Sequence, residues 1–180
     1  MRYVANNPSE VTRHYQGLRE AVPDLRAIAL FDRVPEGPPD LAPVERLVWE
    51  RREIGNYLCT RRTLEAYAAE SSDVDRLGSL FAPPEVERRN AAMQDAIAEV
   101  EAELAANGTA PPWSADLKAG EQVLEPILAA FFRKLDLPVA NRSVHELAEH
   151  VPEDEIAPDV TRKLDAIAQV AADASSALDT

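Results

Sequence analysis

The chain has 180 residues, 46% of them hydrophobic, which suits one domain of ordinary size, or one and a half, with a real core. Its formal net charge is -13, from 32 acidic against 19 basic residues, so long-range steering of a polyanion is unfavourable unless the charge is segregated. A single cysteine, Cys59, excludes an internal disulfide and any multi-cysteine zinc or iron–sulfur site, and reads as a small core residue in a reducing cytoplasm.

No N-terminal apolar h-region and no apolar run near 18 residues occurs, so neither secretion nor a membrane span is expected and the localisation read from the sequence is cytoplasmic. The charge is partly segregated. Residues 136–180 hold ten acids against three Lys or Arg, whereas residues 44–62 hold five Arg against three Glu, so any phosphate contact is expected in the central stretch.

Arg2-Tyr3-Val4 reads as a short strand. In Asn7-Pro8-Ser9-Glu10 the Asn caps, Pro takes the first helical position and Glu reaches back; the helix over 8–22 then carries Val11, Tyr15, Leu18 and Val22 on one stripe. Pro23 stops it. Ala27-Ile28-Ala29-Leu30-Phe31 predicts a strand over 26–31 buried on both faces, which makes a βαβ unit with a right-handed crossover. Residues 35–43, PEGPPDLAP, are a loop. A second strand, Leu47-Val48-Trp49, runs into Glu50-Arg51-Arg52-Glu53; a helix over 43–70 competes with it, but Trp49 falls off the stripe shared by Leu47, Ile54 and Leu58. The following ERREIGNYLCTRRTLEAYAAE reads as helical, with Gly55 costing about 1 kcal/mol relative to Ala.

From Ser71 the pattern is helical. Ser71-Ser72-Asp73 and Pro83-Pro84 punctuate a short segment over 74–81, and a helix over 84–106 places Val86, Met93, Ile97, Val100 and Leu104 on one face before the stop signal Asn107-Gly108. A helix over 121–135 carries Leu124, Ile127, Leu128, Phe131, Phe132 and Leu135, with Pro126 delaying its regular part to near Glu125. Ile156, Val160, Leu164, Ile167, Ala171, Ala174 and Leu178 mark an amphipathic C-terminal helix that must pack on something. The fold class expected is an α/β N-terminal part with a short parallel sheet, residues 1–60, followed by an all-α part, residues 61–180; the alternative is an all-α helical bundle.

The phrases NNPSEVTRHYQGLREAVPDLRAIALFDR, LVWERREIGNYL and PPWSADLKAGEQVLEPILAAFFRKLDLP together resemble, over most of the chain, the C-terminal region of AAA-type ATPases that carry a Toprim nuclease domain, the overcoming-lysogenisation-defect (OLD) type. The resemblance implies a partial Toprim-like sheet with a helical tail, from an ATP-dependent DNA nuclease of DNA processing or phage defence. Such chemistry uses carboxylates at strand ends to hold Mg²⁺ or Mn²⁺ against a scissile phosphate. Asp32 matches the first acid of a DxD-like motif, whose second position here is Val34, and Glu53 matches the Glu of the REIxNYL phrase, where Gly55 replaces an expected second Glu. An early acid of the family pattern has no counterpart, since the chain starts at Met1 after that strand. Lys118, in WSADLKAG, matches a lysine of the family's C-terminal part.

The resemblance thus nominates Asp32, Glu53 and Lys118 as catalytic, with Asp32 and Glu53 also the metal ligands, and implies weak or no cleavage by this chain alone. The plainer alternative has Asp32 capping a turn and Glu53 pairing with Arg51 or Arg52. Arg51, Arg52, Arg61 and Arg62 are the candidate DNA-binding residues, although an RR pair on a helix is more often a solvated face. No GxxxxGK[ST] or other nucleotide-binding motif is present, so the resemblance implies an ATPase partner or a missing N-terminal half. A homo-oligomer, or a non-enzymatic helical interaction module, is the second reading. In HELAEH, His145 and His150 lie five apart, not four, which sets it apart from a helical zinc site, and Ser143 reads as the cap of a short helix.

Overall fold

The computed structural model describes residues 3–70, 78–138 and 144–176. The protein is mostly helical, with a short two-stranded parallel sheet. It divides into two compact units, Met1–Arg51 with Ala157–Thr180, and Arg52–Ile156. The C-terminal helix is thus grouped with the N-terminal segment.

In the first unit, helix α1 (Pro8–Arg19) is capped as its sequence dictates: the Asn7 side chain accepts the N–H groups of Ser9 at 3.0 Å and Glu10 at 3.4 Å, with proline in the first turn. It ends at Arg19, short of the expected Val22. Residue 22 precedes Pro23, whose ring disfavours the helical region for its neighbour, and the chain turns with the Val22 N–H on Leu18 O at 3.0 Å. Val11 and Tyr15 are buried, but Leu18 and Val22 of the expected stripe are exposed. Of the expected strand Arg2-Tyr3-Val4, Arg2 lies outside the described residues and Tyr3 and Val4 form no strand; Val4 O accepts the Asn7 N–H in a turn, so the anticipated βαβ unit has no first strand among the described residues.

Strands β1 (Ile28–Phe31) and β2 (Glu45–Val48) pair in parallel, Ile28 beside Glu45 and Phe31 beside Val48, through a connection without a helix. Strand β1 buries Ala29 and Phe31 and only partly covers Ile28 and Leu30, so one face meets the core rather than both. Strand β2 starts at Glu45, earlier than expected, and Trp49 lies just past it, buried. The core of this unit is Val11, Tyr15, Ala29, Phe31, Leu41 and Val44.

The second unit is helical. Residues 51–54 form no helix; α2 (Gly55–Leu58) is a single turn, and Cys59 at ψ 73° breaks it from α3 (Arg61–Glu70). Thr60 caps α3, its hydroxyl accepting the Thr63 N–H at 3.1 Å, a signal present in the sequence that explains why one continuous helix does not form. Helix α4 (Gly78–Ala106) runs through Pro83 and Pro84 rather than starting at them. Proline's fixed φ suits a helix, and the amide bonds lost lie near its start. Its end matches expectation: Gly108 takes φ 65°, and the Thr109 and Gly108 N–H groups return to Leu104 O and Ala105 O at 2.9 and 3.1 Å.

A π-helical turn (Gly120–Leu124) leads into α5 (Glu125–Lys134), so Pro126 sits in the first turn of the regular helix, as its position requires. Leu124, Ile127, Leu128 and Phe131 are fully buried and form the centre of a core with Leu64, Met93, Ile97 and Leu147. Helix α5 packs on α4, and α3 packs on α4 and on the 3₁₀ segment Val144–His150. Ser143, the expected cap of that segment, lies outside the described residues, as does the first half of the short segment over 74–81, whose second half is the start of α4. Cys59 is buried in this core.

Helix α6 (Pro158–Ser176) returns to the first unit. The expected stripe is only partly covered: Val160, Ile167 and Ala174 are half-buried but Leu164 is 57% exposed, whereas Asp159 and Lys163 are buried at 3% and 9%. Among the described residues no helix is long and apolar enough to cross a membrane.

Candidate functional site

The carboxyl end of the sheet gathers acids, as its sequence promises. Parallel pairing, continued by the Trp49 N–H on Phe31 O at 3.0 Å, puts Asp32 and Glu50 at the same end of the two strands. Asp32 is held by Asn6 from both sides: its N–H donates to Asn6 Oδ1 at 2.8 Å, and its Oδ2 accepts from Asn6 Nδ2 at 2.5 Å. Asn6 takes φ 56° and Ala5 φ 48°, so two consecutive residues adopt the left-handed region where that amide faces the strand end. Nothing in the sequence singles out Asn6, because this pairing spans 26 residues.

Glu50 is joined by α6. Its N–H donates to Asp159 Oδ2 at 3.1 Å, and its carboxylate pairs with Arg162. Asp159 also pairs with Lys163, one turn along, and Lys163 Nζ lies 5.5 Å from the centroid of the Trp49 ring. Asp159 and Lys163 are functional-site candidates that periodicity alone misses. The only trace they leave is the i,i+4 Asp–Lys spacing, which reads as a surface pair.

Glu53 lies in the other unit and serves a different end. Its Oε1 accepts the Gly120 N–H at 2.6 Å, and its own N–H donates to Asn56 Oδ1 at 2.9 Å. Asn56, 2% exposed, donates through Nδ2 to Ser114 O at 2.9 Å and Leu117 O at 3.0 Å. The Arg52 N–H donates to Ala115 O at 2.7 Å. The REIGNYL and WSADLKAG phrases, some sixty residues apart, are thereby locked together. At the centre of the lock, a Cβ on Gly55 would stand 2.9 Å from Gly120 N and 3.0 Å from Glu53 Oε1. Lys118 rides on the outside of the locked loop, exposed, with Nζ 3.6 Å from Glu121.

Two of the four candidate DNA-binding arginines are matched by acids. Arg61 pairs with Glu101 at 2.6 Å and covers the Trp113 ring at 5.2 Å; Arg62 forms a two-pronged pair with Asp154 at 2.7 and 3.0 Å and reaches Glu155 at 3.2 Å. That pair raises the Arg62 guanidinium pKa and lowers the Asp154 carboxyl, the hydrogen bond between them being the main cause of both. Arg51 and Arg52 are half-buried and engaged by neighbouring groups, one in each unit. His145 is exposed, and His150 stands edge-on to Tyr67 with ring centroids 5.3 Å apart.

Asp32 and Glu53 each have one carboxylate oxygen bonded to the chain itself, and among the described residues no group of three or more His, Cys, Asp or Glu is arranged to hold a metal. In comparisons with protein-family models, curated proteins and solved structures, nothing matches the chain.

Proposed function

We propose that the chain is the Toprim-like and helical-tail portion of an OLD-type ATP-dependent DNA nuclease, of DNA processing or phage defence, with no robust cleavage of its own. The ATPase it serves is carried on another polypeptide or another part of the protein. The observation that carries this reading is the lock between the REIGNYL and WSADLKAG phrases, in which Glu53 turns inward to Gly120. The phrases on which the resemblance rests fit one another, and one oxygen of the acid that the resemblance assigns to metal holds the fold. Parallel strands ending in Asp32 and Glu50 support the same lineage. With Arg61 and Arg62 neutralised by Glu101, Asp154 and Glu155, little free positive charge remains on α3 to grip a phosphate backbone.

Plasmid nicking with Mg²⁺ or Mn²⁺ tests this. The expected outcome is no cleavage above that of Asp32→Ala. Robust nicking that Asp32→Ala abolishes would make the chain an autonomous nuclease and overturn the reading.

A further inference from the structure

We propose that α6 is a clasped helix, held on the first unit by charged contacts near its two ends and released by salt while the sheet stays folded. The apolar core of that unit is built from α1, the strands and their connection, and it includes no described side chain of α6. The half-buried Ile167 and Val170 are not among the side chains packed against that core. Named polar contacts join α6 to the rest of the unit. At the N-terminal end, Asp159 accepts the Glu50 N–H at 3.1 Å, Arg162 pairs with the Glu50 carboxylate, and Lys163 lies over Trp49. Near the C-terminal end, Arg26 Nη1 reaches Asp173 Oδ2 at 3.2 Å.

Charge placed this way makes a reversible attachment. Docking removes Asp159 and Lys163 from water, which opposes it, whereas release returns them to water still facing each other one turn apart. The pairs Arg162–Glu50 and Arg26–Asp173 are solvent-exposed, the kind that salt screens most. Desolvation therefore weakens the clasp from within, and ionic strength weakens it from outside.

Hydrogen exchange on the full chain tests this, at about 0.05 M and about 1 M NaCl, where the screening length falls severalfold. Amides of 158–176 are expected to exchange roughly tenfold or more faster at high salt, with 28–31 and 45–48 unchanged. The exposed-pair variant Arg26→Gln with Arg162→Gln is expected to show the fast exchange already at low salt, while Arg13→Gln, whose partner Glu10 lies on α1, leaves α6 as in the wild type. The proposal is overturned if α6 protection is the same at both salts, if it is lost only together with the strands, or if the Arg26 and Arg162 double variant exchanges as the wild type does.

Discussion

Gly55 shows how far a residue's role can move once its contacts are known. In sequence it is a helix-weakening glycine; in the structure it opens a one-turn helix and touches the backbone at Gly120. A methyl group there meets Gly120 N at 2.9 Å, a backbone atom that cannot swing aside. Gly55→Ala is therefore expected to lower stability by about 1–3 kcal/mol, as overpacking does, read from the urea midpoint. Gly55→Glu, which would restore the expected second acid, is expected to cost more; a neutral result for either would show that the 112–120 loop gives way. Asn56 makes the same point. Its Nδ2 bonds to Ser114 O and Leu117 O reach a loop about sixty residues away, so the sequence marks it only as a polar residue beside a tyrosine.

At the scale of elements, the 3₁₀ turn Glu153–Glu155 closes on the start of α3. Glu155 Oε2 accepts the Thr60 hydroxyl at 2.7 Å, and Asp154 takes both prongs of Arg62. Because the Asp154 pKa is lowered in the folded protein, chiefly by the Arg62 hydrogen bond, its stabilisation is present above the ordinary aspartate value and is lost as pH falls through the depressed folded one. The Arg62 shift is upward, so its share persists across the neutral range and vanishes only at extreme alkalinity. Asp154→Asn is thus expected to lower the urea midpoint modestly at neutral pH, with the gap to wild type closing as pH falls below the ordinary aspartate value. A gap that stays constant into acid would mean the pair contributes through shape and not charge. Helix periodicity identified α5 and its buried stripe, since six apolar residues at spacings of three and four leave one way to turn. It also identified α6 as a helix, but not the inward face at its start, which is Asp159 and Lys163 and not leucine.

At the scale of the whole molecule, the larger core closes within one continuous stretch. Every buried residue around Phe131 and Leu128, from Cys59 to Leu147, lies within Arg52–Ile156. The smaller core belongs to a unit made of two chain segments. A fragment spanning 52–156 is accordingly expected to fold alone, giving a helical circular dichroism spectrum and a cooperative urea transition. A fragment without cooperative unfolding would show that this core depends on the remaining segments. The net charge of -13 acts at this scale too, favouring solubility and opposing polyanion capture over a distance, whatever the local arginines do.

What the sequence by itself determined were features that depend on neighbours along the chain. The Asn7-Pro8 cap, the Asn107-Gly108 stop, the Pro126 delay, the acids that follow each apolar run and the apolar stripe of α5 all follow from local sterics and periodicity. Tertiary structure alone decided the partners. Glu53 faces Gly120, Asn6 grips Asp32, and α6 buries an ion pair beside Trp49, because each contact joins residues far apart in sequence whose mutual geometry no spacing encodes.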